Sequence, residues 1–152
     1  MPIHGRQPKA MPLDQARASA HAALLLAGSP PDWEPQDARQ APPSLVSHWP
    51  AWVAKAGTLL CHNGCVLWCE PQRDPRETFP SQLILTMPEG RYVIEVLDVA
   101  RREWLVRQTV SGRTLVTGLP YTAGDLVIQV RPAAEVAARP TAVVEPETIP
   151  TT

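Results

Sequence analysis

The stretch that decides the fold is residues 88–131, which read PEGRYVIEVLDVARREWLVRQTVSGRTLVTGLPYTAGDLVIQVR. Within it Tyr92, Ile94 and Val96 occupy alternate positions, the two-residue period of a strand with a buried face. Further strand-like runs lie at 104–106, 114–116 and 126–130, with Gly, Pro, Asp and Ser between them. Short strands at roughly ten-residue spacing, separated by such residues, indicate an antiparallel sandwich or barrel.

Two turn signals stand out in this stretch, besides the polar break at 98–102 and the Gly and Pro residues at 118–124. Pro88, Glu89 and Gly90 form one, and Ser111 with Gly112 forms the other. Both combine residue types that tight turns favour, so we expect each to reverse the chain. The sequence therefore predicts four short strands joined by tight turns.

Residues 52–70 read as a β-hairpin. Asn63-Gly64 is the strongest hairpin signal in the chain, because a type I′ turn needs positive φ at both central residues. With a two-residue turn, His62 faces Cys65 and Cys61 faces Val66. The two-residue period then places Leu59, Cys61, Val66 and Trp68 on one face, and Leu60, His62, Cys65, Leu67 and Cys69 on the other.

Composition divides the rest of the chain, because its 18 prolines crowd the first half and the C-terminal end. Asp14 is a suitable helix N-cap and Gly28 a suitable C′ residue. Ala16, Ala20 and Ala23 form a small-residue face that fits close against another element. We predict disorder at 1–13, a helix at 14–28, a Pro-rich arm or linker at 29–50, a β-sandwich at 51–132 and a disordered tail at 133–152.

Charge and hydropathy exclude some partners. The formal net charge of −1 provides no field that would attract nucleic acid. The longest apolar run, residues 22–27, is too short for membrane insertion, and we find no targeting signal. The sequence leaves the oligomeric state and the compartment open.

Aromatic side chains are the candidate ligand-binding residues. The chain has five tryptophans but only two tyrosines and one phenylalanine. A binding module predicts exposed, coplanar rings, with Trp52 and Trp104 as first candidates and Tyr92 and Tyr121 after them. The alternative is that tryptophans cover the edges of a core, where amphipathic rings are common.

The cluster of Cys61, His62, Cys65 and Cys69 suggests a metal site. Zinc prefers four tetrahedral ligands in two close pairs, whereas the hairpin places Cys61 on the opposite face from the other three. A site formed by His62, Cys65, Cys69 and one distant ligand is therefore the weaker alternative. The stronger one is that the thiols are structural and behave as small apolar side chains. We expect no cofactor.

The sequence predicts no enzyme. Its carboxylates are scattered, and most are expected to be solvated. Asp98 follows a strand and suits a turn, where its carboxylate would accept from nearby backbone N–H groups. Ser111-Gly112 lacks the second glycine of a nucleophile elbow, and no phosphate-binding glycine loop is present.

Residues 83–132 resemble a known accessory domain. The similarity lies in a Pro-x-Gly turn, a tyrosine-bearing strand, an Asp-containing turn and a final strand that begins Asp-Leu-Val. The residues at these places are Pro88, Gly90, Tyr92, Asp98, Asp125, Leu126 and Val127. The family is the C-terminal β-sandwich of (β/α)-barrel glycoside hydrolases, a domain type described as collagen-binding. The resemblance covers about residues 52–132, and this chain lacks the catalytic barrel.

The prediction is thus a mainly β chain of about seven strands, an antiparallel β-sandwich with one N-terminal helix. The resemblance implies a non-catalytic accessory module of carbohydrate-active enzymes. Its partner would be a polysaccharide or protein polymer, or a catalytic barrel domain. One alternative is a structural or assembly subunit that uses the Pro-rich arm and tail to contact neighbouring chains. The other is a small metal-binding protein.

Overall fold

The computed structural model describes residues 8–28, 38–61, 64–75 and 81–134. None of the helices in these ranges is long and apolar enough to cross a membrane. The elements are β1 Lys9–Ala10, α1 Leu13–Leu26, β2 Arg39–Gln40, a 3₁₀ turn Pro43–Leu45, β3 Val46–His48, β4 Val53–Leu60, β5 Cys65–Pro71, β6 Gln82–Asp98, β7 Glu103–Gly118 and β8 Leu126–Pro132.

The strands form one 8-stranded sheet. Its main path is β1-β4-β5-β8-β6-β3, with β2 on β4 and β7 on β6. Every pairing is antiparallel except that of β1 with β4, which is parallel. The predicted mainly β fold with one N-terminal helix is confirmed, but the sheet is mixed rather than purely antiparallel.

The two glycine turns of the decisive stretch do not reverse the chain. Gly90 pairs with Gly112 inside the continuous β6–β7 ladder, whose register shifts between Thr86 and Gly90. Both strands bend there, as bulged strands do. Gln108 Nε2 donates to Thr117 Oγ1 over 2.7 Å, although nine residues of straight strand would span about 30 Å. The β6–β7 ribbon therefore folds over on itself.

This fold produces a core on each face of the sheet. The larger core fills the concave side, where both halves of β6 contribute Leu85 and Ile94. The smaller core lies under α1 on the convex side. Its strand members are Leu59, Val66, Trp68, Leu97 and Val127.

The hairpin prediction is right about faces and wrong about register. Cys65, Leu67 and Cys69 join the concave core, whereas Leu59, Val66 and Trp68 join the convex one. Leu60 pairs with Cys65 rather than with Leu67, a shift of two residues that preserves the face of every side chain. Gly64 is not among the described residues with positive φ. His62 and Asn63 lie outside the described residues.

Helix α1 packs against strands β4 and β5 of the sheet. Ala16, Ala20 and Ala23 are buried there, and a Cβ on Gly57 would lie 2.7 Å from the Ala16 Cβ. The N-cap is Pro12 rather than Asp14, and Gly28 has φ +83 as expected for a C′ residue. The small-residue face is thus occupied, and it is not available to a separate barrel domain.

The second part of the Pro-rich arm belongs to the sheet. Residues 38–50 contribute β2, the 3₁₀ turn and β3, and their Leu45, Val46 and Trp49 enter the concave core. This segment is therefore an arm laid on the sheet rather than a linker. Residues 29–37, with Trp33, lie outside the described residues.

Part of the N-terminal segment belongs to the sheet. Disorder was expected throughout 1–13, but Lys9 and Ala10 pair with β4 and Met11 is buried under the helix. A two-residue strand carries little sequence signal, which explains the difference. The predicted tail, apart from Ala133 and Ala134, lies outside the described residues.

Candidate functional site

Most of the described tryptophans belong to the two cores. Trp52 is 1% exposed, and Trp49 and Trp68 are also buried, whereas Trp104 on β7 is 37% exposed. Trp52 therefore presents no face to a ligand. The expected pair of exposed rings formed by Trp52 and Trp104 does not occur, because arm residues 38–50 help to enclose the core that contains Trp52.

Tyr121 is the predicted ligand residue that lines a cleft together with Asp98 and Arg101. Its ring meets Trp52 edge-on, with centroids 5.3 Å apart and planes at 82°. Its hydroxyl donates towards the carbonyl oxygens of Gln72 at 2.9 Å and Arg73 at 3.1 Å. The contact with the buried Trp52 ring and these hydrogen bonds hold the half-buried Tyr121 in one orientation at the cleft wall.

The cleft beside Tyr121 has a volume of about 520 Å³, within the usual range for small-ligand sites. It combines one aromatic ring with a carboxylate, a guanidinium and a hydroxyl. The lining residues are Asp98, Arg101, Leu105, Pro120, Tyr121 and Thr122.

The polar wall of the cleft is held by the β6–β7 turn. Asp98 is buried, and its Oδ1 accepts from the Arg101 backbone N–H at 3.2 Å, the turn role predicted for it. The Arg101 guanidinium is exposed and lies 3.6 Å from Glu103 Oε1. Exposed pairs of this kind are weak, so Arg101 can turn towards a ligand.

Tyr92 does not line the cleft beside Tyr121. Its hydroxyl donates to the Pro88 carbonyl at 2.6 Å, and the residue is buried. It contributes to a second cleft of about 470 Å³, which is as open as the one beside Tyr121 and is also bounded by Gly90, Arg91 and residues 132–134. The structure thus does not bring the four predicted aromatic residues together.

The cysteines lie on different faces of the β4–β5 hairpin. Cys65 and Cys69 are in the concave core, and Cys61 packs against the convex one. Burial raises the pKa of the Cys61 thiol from 9.0 to about 12, and raises the pKa values of Cys65 and Cys69 further. Among the described residues no group of three or more His, Cys, Asp or Glu is placed to hold a metal ion.

These raised thiol pKa values predict a loss of stability in alkali. The unfolded thiols ionise near their ordinary pKa of 9.0, whereas in the native state even Cys61 keeps its proton to about pH 12. Their contribution is thus complete below pH 9 and is lost as pH rises through the native pKa values. Urea unfolding of the reduced chain at pH 7, 9 and 10.5 measures this.

A Cys65→Ala/Cys69→Ala variant provides the matched control for the alkaline series. It lacks two of the ionising groups, so its unfolding free energy should fall less steeply between pH 9 and 10.5 than that of the wild type. Parallel curves for the two proteins would contradict the attribution to thiols.

A buried polar network lies on the convex face beyond the helix, and the sequence analysis did not predict it. Glu95 Oε1 accepts from Gln129 Nε2 at 2.9 Å and from Arg131 NH2 at 3.0 Å. Arg107 Nε lies 3.4 Å from Glu95 Oε2. The only signal in the sequence is that Glu95 interrupts the apolar run 92–97, and that Gln129 and Arg131 alternate with apolar residues in β8.

Asp125 and Glu70 are two carboxylates close enough for the charge of Glu70 to affect the pKa of Asp125. Burial raises the pKa of Asp125, and the negative charge of Glu70 raises it further. Neither residue lines the Tyr121 cleft. This carboxylate pair is therefore not part of the candidate site at Tyr121.

Comparison with known proteins adds no relative. No family model matches the chain, and neither the curated proteins nor the solved structures contain a match.

Proposed function

We propose that the chain is a non-catalytic accessory module that binds a polyhydroxylated polymer in the Tyr121 cleft. The observation that carries this proposal is the fixed Tyr121 ring beside Asp98 and Arg101 in one cleft. The resemblance to the β-sandwich of glycoside hydrolases suggests polysaccharide as the first polymer to test, with fibrillar collagen as the second.

The cleft chemistry suits a neutral ligand with many hydroxyl groups. The apolar wall of Leu105, Pro120 and Tyr121 can cover the C–H face of a sugar ring. Asp98 accepts hydrogen bonds from hydroxyls, and the Arg101 guanidinium donates to them. Because Tyr121 is already held by Trp52 and by two carbonyl groups, binding does not have to order it.

Arg101→Ala tests the proposal with little risk to the fold. The side chain is 71% exposed, while the Asp98 turn uses only the Arg101 backbone N–H, which alanine retains. Wild type, Arg101→Ala and Trp104→Ala are co-sedimented with insoluble polysaccharides and fibrillar collagen. We expect saturable retention of the wild type on at least one polymer, and retention about tenfold weaker for Arg101→Ala, as for one lost charged hydrogen bond.

Arg39→Ala is the charge-matched control, because Arg39 is exposed on β2 and does not line the cleft. Its retention should equal that of the wild type. Equal retention of wild type and Arg101→Ala would place binding outside the cleft, and weakening in Trp104→Ala alone would move it to β7. Absence of retention on every polymer would refute the polymer-binding function.

A further inference from the structure

The outer edge of β7 is not paired with any described strand. β7 pairs with β6 alone, and the ladder keeps one register from Val106 to Gly112. This part of the edge is as long as a typical strand. Thr109 and Ser111 are exposed along it, and Trp104 is exposed where the strand begins. Such an edge offers backbone N–H and C=O groups to an added strand.

The charge of this edge differs from that of the whole chain. Residues 106–113 carry two arginines and no acidic residue, a net charge of +2, whereas the whole chain has a net charge of −1. Arg107 is 59% exposed, and Arg113 is exposed. The Glu95 carboxylate does not cancel Arg107, because it also faces the buried Arg131 at 3.0 Å.

A second copy of this chain fits the edge poorly. Pairing one β7 edge with another would bring two segments of charge +2 together, and like charges across strands destabilise the pairing. We propose that the β7 edge between Val106 and Gly112 binds an extended acidic segment of another polypeptide as an added strand. The backbone of that segment pairs with β7, and its carboxylates face Arg107 and Arg113. This surface is separate from the Tyr121 cleft.

Synthetic peptides added to the full chain test this proposal. The acidic peptide TEVEVET is labelled with a fluorophore, and its anisotropy is followed in low salt and in 0.5 M salt. We expect saturable binding that weakens with salt, as binding between opposite charges does. The basic peptide TKVKVKT, with the same β-branched residues, should not bind.

Two variants separate strand addition from simple charge attraction. An acidic peptide with N-methyl groups on all of its inner amides keeps its charge but offers no N–H group to β7 from either edge, and it should bind at least about tenfold more weakly. Arg107→Ala/Arg113→Ala should weaken the unmodified peptide by a similar factor. Lys9→Ala/Arg39→Ala, which removes two exposed positive charges from β1 and β2, strands that pair with β4 and not with β6 or β7, should leave binding unchanged.

The opposite results would overturn the proposal. Equal affinity of the methylated and unmethylated peptides would mean that charge alone attracts them. If the acidic peptide does not bind, the β7 edge does not bind an acidic strand and the proposal is wrong. Sedimentation velocity of the full chain should show a monomer, and a dimer that the Arg107→Ala/Arg113→Ala change strengthens would identify a second copy as the occupant.

Discussion

Replacing Glu95 by leucine should cost the fold about 3–5 kcal/mol, the usual penalty when a buried ion pair loses one partner. Glu95 and Arg131 are both more than nine-tenths buried, at 7% and 6% exposed. Arg131 Nε and NH1 already have no acceptor, so Glu95→Leu would leave the whole guanidinium without one. Urea unfolding followed by tryptophan fluorescence measures the change.

Two matched variants show whether the buried charge causes the loss. Arg107 also contacts Glu95, but its side chain is 59% exposed, so Arg107→Leu should cost no more than about 1 kcal/mol. Glu95→Leu combined with Arg131→Met removes both buried charges and should recover most of the lost stability. If the double variant is no more stable than Glu95→Leu, packing rather than the unpaired charge explains the cost.

The buried network also shows why sequence reasoning missed part of the molecule. Glu95 lies on the face of β6 opposite Ile94 and Val96, which an amphipathic strand usually turns to water. Its burial depends on Gln129 and Arg131, more than thirty residues away in the chain. Local periodicity predicted the alternating faces of β6, but it could not show that both faces are covered.

The β6–β7 ribbon illustrates the same limit for turns. Gly90 and Gly112 have turn chemistry, and the sequence analysis expected two chain reversals there. In the structure the two glycines face each other across one ladder, so the strands bend together and continue. Whether a glycine turns or bends a strand depends on its partner strand, which local sequence does not reveal. The hairpin faces were predictable because a shift of two residues does not change them.

Individual residues of the candidate site could be predicted from the sequence, but their arrangement could not. Tyr121 was predicted as a ligand residue and lines the cleft, and Asp98 was predicted as a turn residue and accepts from Arg101 N–H. That these two meet at one end of the sheet follows from the β6–β7 turn lying beside residues 119–125, where Val99 N–H donates to Asp125 O at 3.2 Å. Trp52 was wrongly predicted to be exposed, because the core that contains it is enclosed partly by residues 38–50, which the sequence indicated only as part of a Pro-rich arm or linker.

Gly64→Ala should be among the most destabilising single substitutions in the sheet. A Cβ on Gly64 would overlap the backbone oxygen of Val130 and lie 3.2 Å from its carbonyl carbon. That oxygen belongs to β8, so no side-chain rotation can relieve the overlap, and the strands must separate. We expect a loss of about 3 kcal/mol, the upper part of the usual range for overpacking, and a Tm lower by about 6–12 °C.

Gly64→Asn distinguishes this steric cause from a turn preference. A glycine kept only for positive φ is replaced well by asparagine, but any Cβ at position 64 would meet the backbone of Val130. Gly64→Asn should therefore be at least as destabilising as Gly64→Ala. Gly118→Ala is the matched control, because its new Cβ would meet nothing within 4 Å. A native-like Tm for Gly64→Asn would show that the hairpin turn, and not the approach of β8, requires glycine there.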